Sequence, residues 1–293
     1  MISTENKGLA KRVAVVGCGN IGRSVAVDLL MHDIPVTLID LSEDILQDAK
    51  KEIMQIMRLF PILNSENTSV TAEKPMREHD IKLAMDLSEL LYCDFIIENI
   101  VEQIDVKHAL YYDMEPWVGN AKCVCVNTSC IPIHLIGERS GYSEKIAGVH
   151  FMNPSYLKPV VEVIPSKYTS EGCLGMLKVF LAQINKKTVF AKDEPGFISN
   201  RISHIFMNEA ALLVQNQKIA PHDVDAIFEK CFGHSMGPLK TADLIGIDTV
   251  AQSLDILHSF LRSDKYICCD LLREMVAKGH LGRKVEQGFY IYN

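Results

Sequence analysis

The chain has 293 residues, a formal net charge of −7, 48% hydrophobic residues and 23% charged residues. That length exceeds what one hydrophobic core usually serves, so two domains are expected, and the composition argues against extensive disorder. Without a long basic run the sequence gives no sign of nucleic-acid binding. Without an apolar stretch of about 18 residues, or an apolar segment in its polar N-terminus, it predicts neither a membrane span nor a signal peptide. We therefore expect a cytoplasmic globular protein.

The first elements along the chain predict a βαβ unit. Residues 12–16 and 34–39 have the β-branched, apolar character of buried strands, and residues 21–30 have helical spacing. A glycine turn separates the first strand from the helix, and strand, turn, helix and strand within about 35 residues form a βαβ unit. A second helix is expected over residues 43–59, with Ser42 as its N-cap.

The remaining elements divide the chain into two parts. Further buried strands are predicted at residues 95–98, 123–127 and 146–151, with helical stretches at 88–91 and 106–117, which is typical of a doubly wound α/β fold. After residue 192 the apolar spacing predicts helices at 199–215, 222–231, 249–261 and 268–277, with a short strand at 289–292. We expect a Rossmann-type dinucleotide-binding domain over residues 1–192 and an all-helical domain over residues 193–293.

The glycine turn fits the pattern G-x-G-x-x-G between a strand and a helix. Gly17 permits the tight turn, Gly19 lets the backbone approach a pyrophosphate, and Gly22 lets helix and strand pack closely. Asp40 ends the second strand 18 residues after Gly22, where its carboxylate can accept hydrogen bonds from the adenosine ribose. The same carboxylate would repel a 2′-phosphate, so NAD is favoured over NADP. The alternatives to an NAD site are a glycine turn with a purely structural role and a site for a flavin or an S-adenosyl cofactor.

A histidine and a glutamate lie in two apolar segments that a short connection joins. His150 is in the strand at 146–151 and Glu162 is in the run at 160–165. The connection is too short for the crossover that parallel strands need, so an antiparallel pair is expected, with His150 beside Glu162. A carboxylate that orients a histidine is what a general base requires. The alternative is a pair of satisfied core residues, but paired positions inside two apolar strands favour catalysis.

At this point the sequence resembles the 3-hydroxyacyl-CoA dehydrogenases of fatty acid metabolism over almost its whole length. The motifs that carry the resemblance are I-E-N-I-V-E at 97–102, N-T-S at 127–129, H-F-M-N-P at 150–154, V-E-V at 161–163, P-G-F-I-S-N-R at 195–201, N-E-A at 208–210, G-P-L at 237–239, D-L-I-G at 243–246, L-G-R-K at 281–284 and G-F-Y at 288–290. The resemblance implies an NAD-dependent oxidoreductase, dimeric as in similar enzymes, that acts on the C3 hydroxyl of a 3-hydroxyacyl thioester.

The resemblance also implies roles for individual residues. His150 matches the catalytic base and Glu162 its orienting carboxylate, while Ser129 and Asn200 match the groups that hold the substrate hydroxyl and thioester carbonyl. The residues that fall where family members contact the nicotinamide end of NAD are Glu102, Lys107, Asn153 and Lys284. The expected cofactor contacts are then Gly17, Gly19, Asn20, Ile21, Gly22, Asp40, Glu102, Lys107, Asn153 and Lys284. No metal is expected, because the clustered cysteines lack C-x-x-C spacing.

Two segments leave the substrate carrier open. Residues 57–66 are apolar and nearly uncharged where typical members carry lysines for the CoA 3′-phosphate, so Lys50 and Lys51 become the candidate phosphate contacts. The loop at 153–159 resembles relatives that act on free hydroxy acids such as gulonate or carnitine. The candidate substrates are a 3-hydroxyacyl-CoA such as 3-hydroxybutyryl-CoA, a 3-hydroxyacyl group on an acyl carrier protein as in polyketide extender-unit synthesis, and a free 3-hydroxy acid. The apolar segment favours the acyl carrier protein as the substrate carrier. If the chain is not an enzyme, the alternative is a non-catalytic NAD-binding protein.

Overall fold

A computed structural model of the chain describes residues 9–63 and 80–292, with the backbone alone described for residues 61–63. The chain divides between Asp193 and Glu194 into two compact units, here called the α/β unit and the helical unit. Across the described ranges, no helix combines the length and apolar character needed to cross a membrane.

The α/β unit is built on one eight-stranded sheet. Its strands are β1 (Val13–Val16), β2 (Val36–Ile39), β3 (Ile81–Ala84), β4 (Phe95–Glu98), β5 (Cys123–Val126), β6 (Ile146–His150), β7 (Val160–Pro165) and β8 (Lys187–Phe190), in the order β3-β2-β1-β4-β5-β6-β7-β8. All neighbours are parallel except β6 and β7. Every residue of β1, β2, β4 and β5 is buried, as expected for parallel strands covered on both faces. The doubly wound fold class is confirmed.

Among the described residues, five α-helices of the α/β unit flank this sheet or its loops. They are α1 (Asn20–Met31), α2 (Glu43–Leu63), α3 (Ile104–Met114), α4 (Ile133–Gly137) and α5 (Glu171–Gln183). The Ser42 hydroxyl accepts a hydrogen bond from the amide of Ile45 at 3.5 Å, in agreement with its predicted capping role. In the core, Phe180 of α5 stacks on Phe95 of β4 with ring centroids 4.3 Å apart.

Four elements of the α/β unit, β3, β8, α4 and α5, were absent from the sequence prediction, each for a physical reason. Helix α4 has only five residues, too few to show a helical period in the sequence. The outer strands β3 and β8 have few buried residues, so neither has the apolar run that marks the central strands. Helix α5 contains Gly172 and Gly175, and glycine in a helix interior weakens both its stability and its sequence signal. The missed elements thus lie at the margins of the sheet and on its surface.

The helical unit contains α6 (Ser199–Gln217), α7 (Pro221–Cys231), α8 (Pro238–Ile245), α9 (Ile247–Leu261) and α10 (Asp270–Ala277). The four predicted helices are confirmed, and α8 is added to them. The predicted strand at 289–292 is wrong, because only isolated bridges occur there. The backbone amides of Phe289 and Tyr290 donate instead to the buried carboxylate of Asp243, at 2.9 and 3.0 Å.

Candidate active site

The glycine turn joins β1 to the N-terminus of α1. Gly17 has a φ of +89°, and a Cβ there would lie 2.8 Å from the carbonyl of Asn99. A Cβ on Gly22 would lie 2.0 Å from the Gly17 carbonyl oxygen, so helix and strand pack too closely for a side chain. A Cβ on Gly19 would meet no atom within 4 Å. The turn is therefore tight at Gly17 and Gly22 and open at Gly19, which is the space that a pyrophosphate at a helix N-terminus needs.

Asp40 follows β2 directly and faces this turn. Its carboxylate accepts hydrogen bonds from the amides of Cys18 and Leu41, both at 2.8 Å. Burial, together with the nearby Asp40 charge, raises the pKa of the Cys18 thiol to about 12. Cys18 is thus a neutral packing residue, while Asn20 and Ile21 form the first turn of α1 at the open side of the loop. The open loop and the Asp40 carboxylate beside it suit NAD, the dinucleotide that the glycine pattern and Asp40 predict.

Glu102 organises the loop that follows β5. One of its carboxylate oxygens accepts three hydrogen bonds, from the Thr128 hydroxyl at 2.6 Å, the Ser129 amide at 2.8 Å and the Cys130 amide at 2.9 Å. These bonds fix the backbone on both sides of Ser129. This role of Glu102 in the loop was not predicted from the sequence, which implied only a cofactor contact. Its loop partners are more than 25 residues away along the chain and become neighbours only when β4 and β5 pair.

The predicted pairing of His150 with Glu162 is confirmed by the antiparallel register of β6 and β7. His150 Nδ1 lies 2.8 Å from Glu162 Oε2, and the two residues are 6% and 5% exposed. With Nδ1 donating its proton to the carboxylate, Nε2 of the neutral ring is the acceptor. The Ser129 hydroxyl lies 3.4 Å from Nε2. The geometry therefore presents a basic nitrogen and a hydroxyl side by side at the end of the sheet.

Asn127 ties the ends of three strands together beside this pair. Its amide nitrogen donates to Asn99 Oδ1 at 2.7 Å, and its amide oxygen accepts from the backbone of Phe151 at 3.1 Å. The residues concerned directly follow β4, β5 and β6, so the bonds fix the strand end that carries His150. Polar residues placed immediately after buried strands are the signal from which this role could have been predicted.

Lys107 lies in a buried ion pair with Glu98. Its ammonium group lies 2.6 Å from Glu98 Oε1, and both side chains are completely buried. The same Glu98 oxygen accepts from the amide of Ile100 at 2.7 Å. Burial raises the pKa of the Glu98 carboxyl, and the Lys107 charge opposes that shift. The pair secures the loop after β4, and the predicted contact of Lys107 with the nicotinamide end stays a prediction.

Helix α2 carries the candidate phosphate contacts. Lys50, Lys51 and Arg58 line an open groove of about 620 Å³ along one face of the helix, together with Met54 and other side chains. Phe60 is buried, and its ring meets that of Tyr156 edge to face with centroids 5.6 Å apart. The last part of the predicted apolar segment, residues 64–66, lies outside the described residues.

The remaining predicted site residues lie on loops and in the helical unit. Asn153 is exposed in the connection between β6 and β7. Asn200 is the second residue of α6. Lys284 Nζ lies 2.6 Å from both carboxylate oxygens of Asp248. The α/β unit thus brings together the glycine turn, Asp40, Glu102, Ser129, His150 and Glu162, whereas Asn200 and Lys284 belong to the helical unit.

Comparisons with known proteins cover both units. A family profile described as "3-hydroxyacyl-CoA dehydrogenase, NAD binding domain" matches residues 12–194, and "3-hydroxyacyl-CoA dehydrogenase, C-terminal domain" matches residues 196–292. The chain is 32% identical to a probable 3-hydroxybutyryl-CoA dehydrogenase of Deinococcus radiodurans, over 96% of this chain and 100% of that protein. It is also 32% identical to a 3-hydroxybutyryl-CoA dehydrogenase of Bradyrhizobium diazoefficiens, over 96% of this chain and 95% of the relative.

Solved structures show the same similarity. The (S)-3-hydroxybutyryl-CoA dehydrogenase PaaH1 of Ralstonia eutropha matches with a TM-score of 0.85 and 27% identity, covering 97% of this chain and 99% of its own. FadB2 of M. tuberculosis matches with a TM-score of 0.89 and 27% identity, covering 97% of this chain and 100% of its own.

Proposed function

Because the chain belongs to the 3-hydroxyacyl-CoA dehydrogenase family, whose N-terminal domain binds NAD, we propose that it interconverts a 3-hydroxyacyl-CoA and the corresponding 3-oxoacyl-CoA. The observation that carries this proposal is the buried pair of His150 and Glu162, with the Ser129 hydroxyl 3.4 Å from His150 Nε2. The names of the relatives, 3-hydroxybutyryl-CoA dehydrogenases, support a short acyl chain. The open backbone at Gly19 and the acceptor at Asp40 fit the cofactor.

Proton transfer is the task of His150 in this mechanism. NAD, when bound, supplies the acceptor for the hydride that leaves C3 of the substrate. His150 Nε2 takes the proton of the C3 hydroxyl as the carbonyl forms, and the Glu162 carboxylate at 2.8 Å stabilises the resulting imidazolium. The Ser129 hydroxyl, 3.4 Å from Nε2, orients the substrate hydroxyl. In the reverse direction the imidazolium returns its proton to the oxygen at C3.

The other predicted residues complete the assignment as proposals. Asn200, at the start of α6, would hold the thioester carbonyl. Glu102 would act at the cofactor's nicotinamide end while it holds the Ser129 loop. Asn153 and Lys284 would add contacts to the same end of NAD. Lys107 is buried against Glu98, which supports an indirect contribution through the loop after β4.

The carrier is proposed from the charges on α2. Lys50, Lys51 and Arg58 give its grooved face three cationic side chains, which suits the 3′-phosphate of CoA. An acyl carrier protein is the second candidate, since the apolar character of the following segment favoured it. At Phe60, however, the apolar side chain packs against Tyr156. Packing therefore accounts for that residue without a carrier protein. A free hydroxy acid would leave the cationic face without a phosphate to bind.

Substrate oxidation followed by NADH absorbance tests the proposal. The panel is (S)-3-hydroxybutyryl-CoA, its 3′-dephospho analogue, 3-hydroxybutyryl acyl carrier protein and free 3-hydroxybutyrate. We expect the highest kcat/KM with the CoA thioester. His150→Gln should lower kcat by about a hundredfold or more with nearly unchanged NAD affinity, because a positioned base contributes about 10² to 10⁴. The exposed His222 provides the matched control, His222→Gln.

Each outcome of this experiment has a distinct meaning. Near-native turnover by His150→Gln would contradict the assignment of the base. A higher kcat/KM with the carrier-protein substrate would show that an acyl carrier protein, and not CoA, is the carrier. A higher kcat/KM with free 3-hydroxybutyrate would show that the substrate needs no carrier. NAD binding without oxidation of any substrate would favour a non-catalytic NAD-binding protein.

We also propose that the protein is a homodimer, formed through the helical unit. This unit exposes large apolar side chains on or beside α6 and α7, among them Ile202 (66% exposed), Ile227 (52%) and Phe232 (68%). Exposed apolar surface of this kind is typical of protein interfaces. Sedimentation equilibrium should give twice the mass of the chain, and a monomer at micromolar concentration would contradict the proposal.

A further inference from the structure

Four buried polar side chains of the α/β unit take no part in the proposed chemistry. Ser24 and Asp28 lie on α1, Ser155 lies in the connection between β6 and β7, and Lys186 precedes β8. Their exposed fractions are 4%, 1%, 1% and 8%. A buried charge pair is weak as a source of stability, since apolar residues of similar volume often serve as well. The presence of this pair therefore calls for another explanation.

The hydrogen bonds of the four side chains converge on one short piece of backbone. Lys186 Nζ contacts Asp28 Oδ2 at 2.6 Å and donates to the carbonyls of Ser155 at 2.8 Å and Lys158 at 2.9 Å. The Ser155 hydroxyl donates to the same Asp28 oxygen, and the Ser155 amide donates to the Ser24 hydroxyl. All three ammonium hydrogens of Lys186 are thus used. Ser155 is bonded directly to α1 at Ser24 and Asp28, and Lys158 is linked to α1 through Lys186.

The location of this piece of backbone links it to the active site. The connection begins after His150, and the Phe151 amide is fixed by Asn127. Asn153 therefore lies between two fixed points, Phe151 on one side and Ser155 on the other. Helix α1 begins at the open Gly19, so the same helix carries the pyrophosphate end of the cofactor site and holds the loop that contains Asn153.

We propose that Ser24, Asp28, Ser155 and Lys186 form a positioning network that sets the loop with Asn153 against α1. The network thereby holds the nicotinamide end of the NAD site in register with the pyrophosphate end. Directional hydrogen bonds can fix an irregular loop in one place, which non-directional apolar contacts do less well. This inference rests on the proposed function only in taking NAD as the ligand and Asn153 as a neighbour of its nicotinamide.

A comparison of NAD with ADP-ribose tests the network, because ADP-ribose lacks the nicotinamide. Asp28→Leu/Lys186→Met removes both charges at once and leaves neither buried without its partner. We expect this variant to bind NAD about tenfold more weakly, equivalent to about 1.4 kcal/mol, and to bind ADP-ribose within about twofold of wild type. Ser155→Ala, which removes one donor, should weaken NAD binding by a smaller factor with the same selectivity.

Lys122→Met is the matched control. Lys122 pairs with Asp94 at 3.0 Å in the same unit. The two residues lie at the N-terminal ends of β5 and β4, whereas the glycine turn follows the C-terminal end of β1. This variant should keep the wild-type ratio of NAD to ADP-ribose affinity.

Three results would overturn the inference: equal losses of NAD and ADP-ribose affinity, an unchanged NAD affinity in the double variant, or a wild type that does not prefer NAD to ADP-ribose. This experiment measures binding alone. A failure of the proposed dehydrogenase activity would appear in the NADH absorbance assay and not here, so the two failures are distinguishable.

Discussion

Single carboxylates set the local geometry of the α/β unit at the scale of residues. Asp40 accepts from the amide at the centre of the glycine turn, Glu102 gathers three donors of the loop after β5, and Glu162 orients His150. Hydrogen bonds to charged groups contribute about 1.5–3 kcal/mol each, more than those between neutral groups. Each carboxylate therefore holds a loop or ring in one arrangement before any substrate arrives.

Cys18 offers a test of this local electrostatic setting. Burial and the Asp40 charge disfavour its thiolate, and with a pKa of about 12 only about 10⁻⁴ of the thiol is ionised at pH 8. Iodoacetamide at pH 8 should therefore label the exposed Cys231 and leave Cys18 unmodified in the native protein, as peptide mass spectrometry would measure. Because the shift is upward, labelling of Cys18 should stay negligible at neutral pH. Labelling as fast as that of Cys231 would contradict the described environment.

The role of a residue was predictable where a pattern in the neighbouring sequence indicates it. It was not predictable where the role depends on a partner that is distant along the chain. The adjacency of His150 and Glu162 followed from two apolar strands and a short connection. The pairing of Asp28 with Lys186 joins positions 158 residues apart, so no local pattern reveals it. An acidic residue inside the apolar run of α1 was the only available signal, since a buried charge needs a partner.

Helices and strands were predictable where burial is continuous. The central parallel strands are buried on both faces, so their sequences are uninterrupted apolar runs, whereas β3 and β8 carry too few buried residues to stand out. Glycine has opposite effects at this scale. Gly22 belongs to the contact between α1 and β1, while Gly175 merely interrupts the helical pattern of α5.

Alanine substitutions at these two helical glycines should act in opposite directions. In Gly22→Ala the new methyl group would lie 2.0 Å from the Gly17 carbonyl oxygen, so the turn must shift. We expect a loss of about 1–3 kcal/mol in unfolding free energy from overpacking, together with weaker NAD binding. In Gly175→Ala no atom lies within 4 Å, and a gain of about 0.5–1 kcal/mol is expected from the helix.

Urea unfolding and NAD titration of both glycine variants make this comparison. Gly175→Ala is the control for the substitution itself, because it adds the same methyl group to another helix of the same unit. Native stability and NAD affinity in Gly22→Ala would contradict the close packing of α1 against β1.

At the scale of the whole molecule, the charge of the protein and that of its proposed substrate have the same sign. The chain carries a net charge of −7, and CoA is a polyanion. The general field therefore repels the substrate, and attraction must come from the cationic face of α2, over distances within a Debye length of about 10 Å at 0.1 M salt. The sequence offers four candidates for this role, Lys50, Lys51, Arg58 and Lys158, and the structure adds that the first three line one groove.

The competition between these two fields predicts a salt dependence that changes sign. In the wild type, salt screens the local attraction, so KM for a hydroxyacyl-CoA should rise severalfold between about 0.01 and 0.3 M salt. In Lys50→Met/Lys51→Met the net charge is two units more negative and repulsion dominates, so KM should be higher at low salt and should fall as salt is added. The matched control is Lys178→Met/Lys278→Met, which makes the same change of net charge at two exposed lysines, one on α5 and one directly after α10. Steady-state kinetics over the salt range should give the control the wild-type sign. A rising KM in all three proteins would show that the phosphates are bound elsewhere.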